Sequence, residues 1–255
     1  MNGMMAGLVG RRRRIVVVGV ALIFAGFMGL QAMALPQKAA EPTDLHVGSL
    51  RVNKILFLGN SITLHGPKPD IGWTGNWGMA ASEETKDYVH LLTATIATKA
   101  KGQPRILAKN IADFERGFQS YRPAESLKSE LEFKADLVVL AIGENVPALT
   151  SDALKTEYGD AFRSLISAIQ GQGKPTIVVR SCFWADPAKD EIMRSICKEM
   201  GGLHVDLGKL GADPQNMAGA ERKIDHAGVA NHPGDRGMQA IAEAIWAVIR
   251  ERGSK

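Results

Sequence analysis

The sequence predicts a three-layer α/β/α domain built on a central, parallel, five-stranded sheet. From Val52 onward, short apolar runs alternate with amphipathic stretches, the order that produces a parallel sheet with helices on both faces. The runs are continuously apolar rather than alternating, as expected of strands covered on both sides. No internal repeat or low-complexity segment interrupts this order, so residues 51–255 read as one domain.

The first strand is Lys54–Leu58, with Ile55, Leu56, Phe57 and Leu58 in an unbroken row. Gly59 and Asn60 end it, since both tolerate turn geometry. Residues 64–82 read as a long loop rich in Gly, Pro and Trp. Asp87 to about Ala100 has helical spacing, with Tyr88, Leu91, Leu92 and Ile96 on one face. Pro104 precedes a second strand, Arg105–Asn110, and residues 113–132 read as irregular or weakly helical. Asp136–Ile142 is the third strand, 152–170 a helix, Pro175–Arg180 the fourth strand, and about 187–200 a helix. Leu203–Asp206 is the fifth strand, and the last helix runs from about Gly234 to Glu251. Right-handed crossovers deliver the carboxyl ends of these strands to one edge of the sheet.

Residues 1–34 read as a signal peptide. Arg11–Arg14 form a positive region, Ile15–Leu30 is almost wholly apolar, and Ala32-Met33-Ala34 has the form of a cleavage site. The chain is therefore expected to be exported to the periplasm or outside the cell, with a membrane anchor as the alternative if the segment stays uncleaved. Residues 35–50 read as a linker. The chain has 31 Lys and Arg against 27 Asp and Glu, and the excess of four is Arg11–Arg14. The remainder is neutral, so no nucleic-acid partner is expected. Cys182 and Cys197 fall at a strand end and late in the following helix, too far apart for easy bridging, so two buried free thiols are expected.

Three short blocks stand at strand or helix ends on the predicted edge: Gly59-Asn60-Ser61-Ile62, Gly143-Glu144-Asn145-Val146 and Val229-Ala230-Asn231-His232-Pro233. Together they resemble the motifs of the SGNH (GDSL-type) hydrolases, which read G-D-S plus an apolar residue, G-x-N-D, and D-x-x-H-P before the final helix. The resemblance spans about residues 52–251 and implies the flavodoxin-like SGNH hydrolase fold and a carboxylic ester hydrolase without cofactor. It departs from the family at Asn60, Val146 and Val229, each standing where the family has Asp.

Ester hydrolysis needs a nucleophile, a base and donors for the oxyanion. The resemblance assigns Ser61 as nucleophile, His232 as general base, and the Ser61 N–H and Asn145 amide as oxyanion donors. A further backbone donor is expected from Ala112 or Asp113, or else from Gly78. With Val229 in the acid position, His232 is either oriented by a backbone carbonyl in a Ser–His dyad or served by another carboxylate, Asp225 or Glu144. Among the other histidines, His65 follows the serine loop and could line the pocket, while His226 lies six residues before His232. His46 falls in the linker, His90 on a helix, and His204 reads as a hydrogen-bonded residue of the fifth strand. No histidine spacing suggests a metal.

Trp73 and Trp77 in the Gly66–Ser82 loop, with Trp184 after the fourth strand, suggest a stacking platform for sugar rings; the alternative is that Trp73 and Trp77 plug the loop onto the domain. The expected substrate is accordingly an O-acetyl ester on a carbohydrate. A lipid or lysophospholipid esterase, and a non-catalytic carbohydrate-binding protein of the same fold, are the other readings.

Overall fold

The computed structural model describes residues 44–254; the signal peptide read over 1–34 lies outside them. The chain enters through a small antiparallel hairpin, β1 (His46–Val47) and β2 (Leu50–Arg51), before the sheet begins. The sheet strands are β3 (Lys54–Gly59), β4 (Arg105–Asn110), β5 (Leu137–Ala141), β6 (Thr176–Arg180) and β7 (Leu203–Val205). They lie in the order β4-β3-β5-β6-β7, and every pairing is parallel. The chain direction in the sheet therefore reverses around β3, and the crevice at the carboxyl ends of β3 and β5 is where open α/β sheets hold ligands.

Successive strand residues point to opposite faces, and the two faces build separate cores. Ile55, Phe57, Leu137 and Val139 pack with Tyr88, Leu92 and Ile96 of helix α1 (Tyr88–Ala100). Leu56, Leu58, Val138 and Leu140 face the opposite layer. Helix α1 is capped by the Asp87 carboxylate, which accepts from His90 N at 2.8 Å. Residues 113–132, read as irregular or weakly helical, carry three single-turn helices: α2 (Ala112–Arg116), α3 (Pro123–Ser126) and α4 (Lys128–Glu132). The opposite layer is completed by α5 (Asp152–Gln170), through Tyr158, Phe162 and Ile166, and by α6 (Pro187–Glu199), through Met193 and Ile196. Two further single turns, α7 (Ala218–Glu221) and α8 (Ala227–Ala230), lead into α9 (Asp235–Gly253). Helix α9 returns to the first layer through Met238, Ile241, Ile245 and Ile249.

Cys182 and Cys197 are both buried free thiols. His204 departs from the expectation of a hydrogen-bonded residue, because its buried Nε2 has no partner among the described residues. None of the helices among the described residues is long and apolar enough to cross a membrane.

The linker read over 35–50 ends earlier than the sequence suggested. Leu45, Val47 and Leu50 are buried in the first core, and the Ser49 N–H donates to the carbonyl of Gly253 at 2.9 Å, tying the hairpin to the end of α9. Two-residue strands have too short a period to be read from sequence. Leu50→Ala is expected to cost about 2–4 kcal/mol, as for a buried leucine, in urea unfolding; a linker residue would cost nothing.

Candidate active site

The turn after β3 carries Ser61, the turn after β5 carries Asn145, and the chain between α8 and α9 carries His232. Ser61 Oγ lies 2.8 Å from His232 Nε2. His232 Nδ1 lies 2.6 Å from the carbonyl oxygen of Gly228. A carbonyl can only accept, so Nδ1 carries the proton and Nε2 is left as the acceptor for the serine hydroxyl.

The Gly228 carbonyl is available because α8 ends there. The backbone N–H of His232 bonds to Val229 O at 3.0 Å, so the Gly228 carbonyl is free to take the ring. Neither carboxylate named from the sequence orients the imidazole. The Asp225 side chain is 93 % exposed and lies 4.0 Å from Lys223, and Glu144 is committed elsewhere. Trp184 meets the imidazole edge to face, with ring centroids 5.6 Å apart. Burial pushes His232 below its ordinary pKa, and the hydrogen bond to Gly228 opposes that shift.

Asn145 is held at both ends. Its Nδ2 donates to Glu115 Oε2 at 2.7 Å, and its Oδ1 accepts from the Arg116 guanidinium at 3.3 Å. A carboxylate at one end and a guanidinium at the other fix which end is the amide nitrogen. One Nδ2 hydrogen remains for a ligand. The Ser61 N–H has no acceptor among the described residues. Two of the backbone donors named from sequence are taken: the Ala112 N–H donates to Asn110 Oδ1 at 2.9 Å, and the Gly78 N–H to Asp87 Oδ2 at 3.0 Å.

Beneath Ser61 lies a buried charged network. Asn60 Nδ2 donates to Glu144 Oε2 at 2.6 Å and to Glu115 Oε1 at 3.1 Å. Glu144 Oε1 accepts from Arg180 Nη1 at 2.5 Å and from Phe183 N at 2.8 Å. Glu115 also accepts from Gly143 N at 2.6 Å. Burial alone would raise the Glu144 carboxyl, but the fully buried Arg180 holds it below the ordinary range. Burial and the neighbouring Glu144 charge raise Glu115, while its amide donors pull it back. Gly143 has φ +126°, a conformation that disfavours a side chain, and a Cβ there would collide with Cys182 Sγ.

Ser61, Ala112, Asn145 and His232 line one cleft, together with His65, Asn110, Arg116 and His226. The tryptophans of the long loop do not join them. Trp73 is 7 % exposed and donates its indole N–H to His65 O at 2.9 Å, and Trp77 donates to Ala81 O at 3.1 Å. The two rings meet edge to face and pin the loop onto the domain, so they offer no stacking platform. Trp184 supports the histidine instead. Glu115, Arg116 and Arg180 were not singled out from sequence. Arg180 carried a signal, a charge closing an apolar strand at the ligand edge; Glu115, inside a weakly helical stretch, carried none.

No protein-family model matches the chain, and no curated protein matches its sequence. Among solved structures, a family 2 carbohydrate esterase from Clostridium thermocellum, crystallised with cellohexaose, is similar with TM-score 0.53 and 18 % identity, over 84 % of this chain and 66 % of that one. A family 2 carbohydrate esterase from Cellvibrio japonicus gives TM-score 0.52 and 16 % identity, over 80 % and 62 %. A protein described as a GDSL-like lipase from Bacteroides uniformis gives 0.51 and 13 %, over 77 % and 94 %. The fold is thus the one shared by the GDSL-like lipases and these carbohydrate esterases, the SGNH hydrolase fold.

Asn60 stands where the family has Asp, and the network gives the reason: an aspartate would lose both amide donations and set a third carboxylate against Glu115 and Glu144. Asn60→Asp is expected to lower stability by about 3 kcal/mol at neutral pH, the order of a broken buried polar network. Like-charge neighbours would raise the folded-state pKa of the new carboxyl above its unfolded value, so the penalty is full above that folded pKa and shrinks as pH falls through it. Urea unfolding of both proteins across pH 4–8 measures this.

Proposed function

We propose that the chain is an exported serine esterase that hydrolyses carboxylic esters, with O-acetyl groups on carbohydrate as the substrate. The observation that carries this is the contact of Ser61 Oγ with His232 Nε2 at 2.8 Å, in a tautomer that leaves Nε2 unprotonated. Export rests on the arginine-plus-apolar segment at the start of the chain. The carbohydrate reading is supported by the polar side chains His65, Asn110, Arg116, Asn145 and His226, which share the cleft with the apolar Ile71, Met79 and Val229, and by the likeness in fold to two carbohydrate esterases.

In this reading Ser61 Oγ attacks the ester carbonyl while His232 Nε2 takes its proton. The negative charge that develops on the carbonyl oxygen is met by the Ser61 N–H and the free Nδ2 hydrogen of Asn145. His232 then gives its proton to the leaving alcohol, and an acyl group remains on Ser61. A water molecule, deprotonated by His232, attacks the acyl carbon; the carboxylic acid leaves and Ser61 regains its proton. The Gly228 carbonyl holds the ring throughout and stabilises the imidazolium with a dipole rather than a full charge.

A fluorophosphonate probe is expected to label the wild-type protein and not Ser61→Ala; absence of wild-type labelling would overturn the esterase reading. Acetate release from acetylated sugars is expected to exceed release from long-chain esters, with the reverse result favouring a lipid esterase. Asn145→Ala is expected to lower kcat by about 10²–10³, the usual cost of losing one oxyanion donor, with the fold intact by circular dichroism.

The base must be neutral to act, and burial lowers the His232 pKa. The acid limb of kcat/KM is therefore expected to have its midpoint below 6.5, the ordinary histidine value. A midpoint above 6.5 in a pH–rate profile would contradict the placement of His232 as a buried base.

A further inference from the structure

We infer that the cleft selects an ester carried on an acidic sugar, and that Arg116 is the residue that reads the sugar carboxylate. This deepens the esterase reading above and rests on it for the reaction, though not for the binding.

Arg116 closes the single-turn helix α2 and lines the same cleft as Ser61 and His232. It is exposed, and its guanidinium makes one hydrogen bond among the described residues, from Nη2 to Asn145 Oδ1 at 3.3 Å. It forms no ion pair among the described residues. A guanidinium has five N–H donors in a planar fork suited to a carboxylate, so most of its donors are open to the cleft. No Asp or Glu lines this cleft; its other titratable lining residues are His65, His226 and His232. Asp70 and Asp225 line an adjoining groove that shares Ile71 and His226 with the cleft and does not include Arg116. Glu144, in the network below, is neutralised by Arg180, and the Glu115 carboxylate is covered by hydrogen bonds from Asn60, Gly143 and Asn145. The cleft thus presents a guanidinium with no ion-pair partner among the described residues, hydrogen-bonded to the amide that would meet the oxyanion. A neutral sugar offers it only hydroxyl acceptors, whereas a uronic acid bearing the ester supplies its counter-charge.

The test compares two small substrates, the O-acetylated methyl glycosides of glucuronic acid and of glucose. Wild-type protein is expected to show about a tenfold higher kcat/KM on the acidic sugar, the order of one charge-assisted contact at a solvent-open rim. The preference is expected to shrink in 0.5 M salt. Arg116→Gln is expected to bring the ratio to about one, and Arg116→Lys to keep part of it. Equal wild-type rates, a preference for glucose, or a loss in Arg116→Gln that is the same on both substrates would overturn the inference; the last result would make Arg116 a brace for Asn145 only. A second measurement separates this from the reaction itself: binding of the unacetylated methyl glucuronoside and glucoside to Ser61→Ala, by calorimetry. Tighter glucuronoside binding that Arg116→Gln abolishes supports the carboxylate site even if neither ester is hydrolysed, in which case only the esterase reading falls. Equal binding of the two glycosides overturns the site.

Discussion

One amide group holds the floor of this site together. The Nδ2 atom of Asn60 has two hydrogens, and it gives one to Glu115 and one to Glu144. Those two carboxylates are buried among the ends of three strands, where an uncompensated charge is costly. Glu144 has Arg180 as a full counter-ion, while Glu115 has only amides. The shared amide is what lets both sit under Ser61. It also connects the turn after β3 to α2, the turn after β5 and the end of β6, so the positions of Ser61 and Asn145 are set by one connected structure. Positioning of this kind, fixed before a ligand arrives, is what makes hydrogen-bond donors effective toward a developing charge.

The network divides the electrostatics of the molecule by depth. Below the turn, negative carboxylates are satisfied by amides and by a fully buried arginine. At the rim, the formal charge is a lone guanidinium, flanked by imidazoles. Asn145 stands between the two layers, with its nitrogen toward Glu115 and its oxygen toward Arg116. Both partners pull in the direction that fixes the amide, so its remaining hydrogen is aimed without help from a ligand.

The sheet was legible because strands covered on both faces leave unbroken apolar runs, and Ile55–Leu58 and Leu137–Ala141 are such runs. Ser61, Asn145 and His232 were legible because each follows a run or precedes the final helix, where parallel topology gathers chain ends. The hairpin at His46–Arg51 was not, since two residues of strand show no period. The tryptophan loop misled because composition counts aromatic rings but not the direction they face: Trp73 and Trp77 spend their indole N–H groups on His65 and Ala81 carbonyls. Ala112 and Gly78 were plausible donors by position, yet side chains nearby, Asn110 and Asp87, had already taken their N–H groups. Val229 in the acid position left a backbone carbonyl open as the partner of His232, but which carbonyl was not legible, because main chain carries no residue identity.

That last contact changes where the histidine's placement is encoded. A side-chain acid would be written in one codon and could be lost by one substitution. The Gly228 carbonyl is present whatever residue stands there; what puts it under the imidazole is the number of residues between it and His232 and the point at which α8 stops. Single replacements on the exposed side of this turn leave the register intact, whereas inserting or deleting one residue between 228 and 232 rotates the carbonyl away from the ring. In this chain the orientation of the His232 ring is a property of segment length rather than of residue identity.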